Sequence, residues 1–101
     1  MIRRILPPIV SAFLLVFGLY LTAEIPASWT TPASPFRIAG NLYYVGSQDL
    51  AAYLIVTPQG NILINSNLQS SPPQIKKSIE ALGFKYGDTK ILLISHGHYD
   101  H

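Results

Sequence analysis

Apolar residues occur in this chain as short continuous blocks separated by turn chemistry, not as one long alternating pattern. Ala51-Ala52-Tyr53-Leu54-Ile55-Val56 and Asn61-Ile62-Leu63-Ile64 are rich in β-formers. Thr57-Pro58-Gln59-Gly60 joins them, with Pro suited to the second turn position and Gly60 closing the turn. These blocks predict a hairpin, and because both arms are apolar at consecutive positions, they predict cover on both sheet faces, supplied by helices. Upstream, Phe36 to Val45 reads as a strand or bent hairpin interrupted by Gly40-Asn41, which suits a tight turn or bulge. Gly46 to Asp49 reads as a loop.

The spacing changes to helical after Ser70. Ser71 stands as N-cap, Pro72 at the first helical position, Gln74 where it would complete a capping box, and Gly83 just past the end. Ile75, Ile79 and Leu82 form one apolar stripe, with Lys76, Lys77 and Glu80 facing water. After a turn, Ile91-Leu92-Leu93-Ile94 predicts a short, fully buried strand. The order β, β-hairpin, α, β is of the α/β class. It puts a polar cluster directly at the carboxyl end of the last strand, the edge where such sheets bind ligands. There are no internal repeats and no low-complexity runs.

Residues 1–23 break this picture. Met1-Ile2-Arg3-Arg4 is a short positive start, and Ile9 to Leu21 is an apolar core of signal-peptide length, so an export signal over 1–23 is the expectation, with a retained membrane anchor as the alternative. Ala23 and Ala27 are the candidate cleavage points, each with a large residue (Leu21, Ile25) two places before it. Export places the remainder in the periplasm or outside the cell. Residues 24–35, with three prolines and one large apolar group, Trp29, suit an extended arm, and residues 36–101 form the domain segment.

Charge follows the same division. The formal net charge of +2 belongs to Arg3 and Arg4, while residues 24–101 balance five basic against five acidic side chains. A nucleic-acid footprint and a polybasic membrane-surface domain are thereby excluded. The absence of Cys excludes disulfide frameworks and Cys-based zinc ribbons. Oligomeric state stays open.

Chemistry concentrates in Ser95-His96-Gly97-His98-Tyr99-Asp100-His101. Zinc takes imidazole nitrogen and carboxylate oxygen, and four such groups lie here within six positions. His96 and His98, two apart around a permissive Gly97, can converge on one ion in an extended loop. Asp100 and His101 would point elsewhere, toward a second ion. Two zinc ions roughly 3.5–4 Å apart can share a hydroxide of near-neutral pKa, a nucleophile that needs no Ser or Cys. The bland alternative, a solvated His-rich tail, fits poorly: the spacing is not that of a homopolymer tag, and it follows a strand without a gap. Ser66, Ser70 and Ser71 lie near no paired His, Gly46-Ser47 lacks a phosphate-loop pattern, and no Gly-rich nucleotide fingerprint exists.

His96-x-His98-x-Asp100-His101 resembles the metal signature of the metallo-β-lactamase superfamily. The longer strings Phe36 to Gly46, Asp49 to Asn65 and Thr89 to His101 resemble the N-terminal part of subclass B3 metallo-β-lactamases. The resemblance implies an αβ/βα sandwich with the site between two similar halves, of which this chain would supply the first, stopping at the metal motif. It implies two zinc ions per full-length chain, His96 and His98 on the first, Asp100 and His101 on the second, with one further His for each from later in the chain. It implies hydrolysis of a small-molecule β-lactam by a metal-bound hydroxide, with Asp100 also orienting the nucleophile. Asn65 stands where much of the superfamily has Asp; it can still donate and accept hydrogen bonds beside a metal ligand but carries no charge. Trp29 resembles an aromatic that the subclass carries on an N-terminal arm, and a packing anchor is the equal alternative. Two further readings stay open: a lactone or thioester hydrolase on the same fold, and a non-catalytic fragment with weak metal affinity and poor solubility by itself.

Overall fold

The computed structural model describes residues 25–101, so the expected export segment over 1–23 lies outside the described residues. Five strands form one sheet in the order of the chain: β1 (Phe36–Ala39), β2 (Leu42–Tyr44), β3 (Tyr53–Ile55), β4 (Asn61–Ile64) and β5 (Thr89–Leu93). The first four are antiparallel neighbours. β5 lies parallel to β4 and is reached through the helix α1 (Pro72–Ala81), as a parallel crossover requires. No helix among the described residues is long and apolar enough to cross a membrane.

Turn chemistry decides the register. Gly40 at φ +56° turns β1 into β2, after a bulge between Arg37 and Ala39. In the β3–β4 hairpin the Gly60 N–H donates to the Thr57 carbonyl at 3.2 Å, pairing Tyr53 with Ile64 and Leu54 with Leu63. Leu54 and Leu63 thus point to the same face, where Ile75 and Ile79 of α1 meet them with Val45 and Ala52. That stripe is the core, and it lies on one side of the sheet.

Three expectations are corrected here. Among the described residues the hairpin is covered on one face: Tyr53, Ile55, Ile62 and Ile64 on the second face are half-exposed, because the ten-residue α1 with its one apolar stripe covers one side. The last strand is not buried either. Ile91 to Ile94 are each about half exposed, since β5 is an edge strand whose single neighbour among the described residues is β4, and α1 packs farther in. The capping box does not form. The Ser71 hydroxyl accepts the Leu68 N–H at 3.0 Å instead of a helix amide, and the Gln74 amide is drawn away to the Thr30 carbonyl at 3.1 Å. The helix end follows the pattern, with Gly83 at φ +90° donating to the Glu80 carbonyl.

The segment before β1 is not extended throughout. Ala27–Trp29 is a single 3-10 turn that leaves Trp29 half-buried. The segment docks on the loop after β2 through Gln48 N–H to the Thr31 carbonyl and Asp49 N–H to the Ser28 carbonyl. That loop is tightly built. The Tyr44 hydroxyl donates to the Ser47 carbonyl, and its pKa is raised, first by burial and then by Tyr53 and Asp49, which keeps the donor proton in place. A Cβ on buried Gly46 would run into the Leu50 carbonyl oxygen and come within 2.6 Å of the Ala52 nitrogen. Both obstacles are backbone and cannot swing aside. Gly46→Ala in the full-length protein should therefore cost at least about 1–3 kcal/mol, read as a lower urea midpoint. An unchanged midpoint would show that the loop relaxes freely.

Candidate metal centre

Because β4 and β5 run in parallel, their carboxyl ends open at the same edge of the sheet, and the two segments that follow meet there. The Asn65 N–H donates to the Leu93 carbonyl at 2.7 Å, extending the ladder past Ile64. Asn65 (φ 68°) and Asn67 (φ 61°) then take left-handed conformations, which Asn tolerates better than most side chains. The turn aims Asn65 across at the start of the histidine loop, where its Oδ1 accepts both the Ser95 N–H (2.9 Å) and the Ser95 hydroxyl (3.0 Å). It also aims the next two amides at the loop's far end: Ser66 and Asn67 both donate to the His101 carbonyl, at 2.7 and 2.8 Å. Residues 96–101 are thus gripped at both ends by three successive residues some thirty positions upstream.

Within the loop the His101 N–H donates to the His98 carbonyl at 3.3 Å, curling it back on itself. The rings of His96 and His98 stand edge to face with centroids 4.0 Å apart. His101 Nε2 lies 3.6 Å from Asp100 Oδ1. Two donors at about 2.0–2.1 Å from one tetrahedral zinc stand roughly 3.3–3.4 Å apart, so this nitrogen and oxygen are spaced to share an ion. The pairs do not diverge as far as expected, since the His101 ring is also 5.5 Å from that of His96 and all three imidazoles make one cluster. Among the described residues, no three of His, Cys, Asp and Glu converge on a single point as a metal cage. The loop offers donors in twos. His96 and His98 are exposed, whereas the Asp100 and His101 side chains are partly buried.

Ser95 and the Asn67 amide were not legible as site residues. Asn67 Nδ2 donates to the Leu50 carbonyl at 3.1 Å and so ties the loop after β2 to the same corner, while its Oδ1 is buried without a partner. Two Asn residues directly after an apolar strand are a turn signal, the one hint in the sequence that the chain bends sharply there.

No protein-family model matches the chain. Solved structures do match. The native FEZ-1 metallo-β-lactamase from Legionella gormanii is 68% identical over 76% of this chain, with a TM-score of 0.72. The class B3 di-zinc metallo-β-lactamase LRA-12 from an Alaskan soil metagenome is 62% identical over 75%, at a TM-score of 0.74. The metallo-β-lactamase GOB-18 from Elizabethkingia meningoseptica is 59% identical over 77%, at 0.76. The chain belongs to the metallo-β-lactamase superfamily. Within it, the chain resembles an N-terminal part of the subclass B3 enzymes, and the five strands and one α-helix among the described residues are a segment of the metallo-β-lactamase fold. It spans 29% of the length of each of these three proteins.

Proposed function

We infer that the protein containing this segment is a zinc-dependent hydrolase that opens the β-lactam ring and works in the periplasm or outside the cell. The likeness to metallo-β-lactamases at 59–68% identity over 75–77% of the chain carries this reading. His96 and His98 hold one zinc, and Asp100 and His101 hold the second. The full-length protein completes each set. Bound there, zinc supplies Lewis acidity toward the amide carbonyl and a water acidified to near-neutral pKa. The chain's own residues do the positioning. Asp100 offers an acceptor-only carboxylate that orients the attacking water, and the grip of Asn65, Ser66 and Asn67 on the loop keeps the donors in place without a large rearrangement.

The test uses the full-length protein. Two zinc ions per chain are expected, with turnover of a carbapenem or a cephalosporin that disappears on chelation and returns with zinc. Turnover of a lactone or thioester with none of any β-lactam would overturn the substrate assignment while keeping the metal chemistry. Undiminished lactam turnover after complete metal removal would overturn both.

A further inference from the structure

We propose that Gln74 is a positioning residue for substrate: its side-chain amide, reaching from α1 to the Thr30 carbonyl, sets how residues 25–31 stand beside the histidine loop as a wall of the substrate site. This rests on the β-lactam reading above. The place of the wall follows from the recess it borders. Ile25, Leu68 and Tyr99 line an open recess of about 420 Å³ together with Gln69 and Ser70. Tyr99 stands in the chain between His98 and Asp100, so the recess opens directly beside the donor loop. Ile25 and Tyr99 are 53% and 69% exposed, apolar surface that suits the apolar substituent of a small molecule whose carbonyl is held at the loop.

The wall is lightly fastened. Gln48 N–H donates to the Thr31 carbonyl at 2.9 Å, Asp49 N–H to the Ser28 carbonyl at 3.1 Å, and Pro32 bridges to Ser47. All of these attachments come from the one loop after β2, and they leave an axis about which the segment can swing. Fixing the angle takes a bond from another element. Among the described residues, the side-chain hydrogen bond that α1 makes to the segment is Gln74 Nε2 to the Thr30 carbonyl, at 3.1 Å. Packing leaves room for the swing, because Gln74 borders two open grooves, one of about 300 Å³ toward Pro32 to Pro35 and one of about 250 Å³ toward Ser70 and Ser71. Gln74 also breaks a local rule to be there. Its position would serve a capping box with Ser71, yet the side chain spans 44 positions of sequence to reach the segment. Departures of this kind from local preference are expected where function is served.

The experiment compares full-length wild type with Gln74→Ala, Gln74→Glu and Gln74→Lys. Glu keeps the length and suits the first turn of a helix, but its carboxylate cannot donate to a carbonyl, whereas Lys restores a donor. A merely structural role predicts that Gln74→Glu is neutral or stabilising in every readout. Positioning predicts that Gln74→Ala and Gln74→Glu raise KM for a cephalosporin with an aromatic side chain by about 3–10-fold, the worth of one net hydrogen bond. Turnover number, zinc content and thermal midpoint should stay unchanged, and Gln74→Lys should recover most of the loss. Amide hydrogen exchange supplies a readout free of turnover: the Gln48 and Asp49 amides, bonded to the segment's carbonyls, should exchange faster in Gln74→Ala and Gln74→Glu. Unchanged KM in Gln74→Glu would overturn the role with the β-lactam reading intact, and unchanged exchange would overturn the tether itself. A rise in KM accompanied by lost zinc or a lowered midpoint marks a general loss of structure and would overturn the role as well. Wild-type protein that turns over no β-lactam would overturn the functional reading and this role with it.

Discussion

Asp100→Asn in the full-length protein should lower β-lactam turnover by about a thousandfold or more while leaving the fold intact. The carboxylate is the one anionic donor in the loop and faces His101 Nε2 at 3.6 Å. Replacing it with a neutral amide keeps the shape but removes the charge that balances a divalent ion and the acceptor that orients a water. Lewis-acid stabilisation is worth several kcal/mol, and each 1.4 kcal/mol is tenfold in rate, so loss of the second ion alone reaches that magnitude. Stability should hardly respond. The loop's place is set by backbone and Asn65 contacts at its two ends, none of which uses the Asp100 side chain, and an exposed or partly exposed ion pair contributes about 0–1 kcal/mol. Zinc content, turnover and thermal midpoint measured together separate the cases. A normal midpoint with one zinc lost and turnover collapsed is the expected set. Full zinc content with full turnover would remove Asp100 from the site.

Legibility in the sequence followed range. The hairpin at Thr57 to Gly60, the bend at Gly40 and the helix end at Gly83 are local chemistry, and each appears where its residues predict it. The capping box failed because a cap competes with everything else in reach: Leu68 lies three residues before Ser71, and Thr30 comes near Gln74 only once the chain is folded. The structure leaves β5 half exposed for a related reason. An apolar run such as Ile91 to Ile94 records that a strand wants cover, whereas the actual cover is a matter of which elements lie beside it, and here α1 spends its stripe on Leu54 and Leu63. The site divides in the same manner. Four donor residues in six positions are conspicuous as letters. That Asn65, Ser66 and Asn67 hold both ends of the loop depends on the parallel register of β4 with β5, which pairs residues some thirty positions apart and leaves no local trace.

Ile79→Ala should be the most damaging of the core substitutions on α1, costing about 2–5 kcal/mol in the full-length protein. Ile79 is fully buried and sits with Leu54, Leu63 and Ile75 in the core cluster that fastens the helix to the sheet. Helix propensity works the other way, since Ala is the better helix former by a few tenths of a kcal/mol, so any loss comes from packing. A graded series makes this explicit. Ile79→Val removes one methylene and should cost about 0.5–1.5 kcal/mol, while Lys77→Ala, on the exposed face of the same helix, should stay within about 0.5 kcal/mol of wild type. Urea unfolding at equilibrium gives all three. The effect on the site is indirect: the core seats α1 on β3 and β4, and the position of β4 beside β5 delivers Asn65 to Ser95. Ile79→Ala should therefore lower the midpoint while the zinc content of the folded fraction stays at the wild-type value. A cost for Ile79→Ala no larger than that for Lys77→Ala would mean that this helix face is not what holds the sheet, and the coupling from core to loop would fall with it.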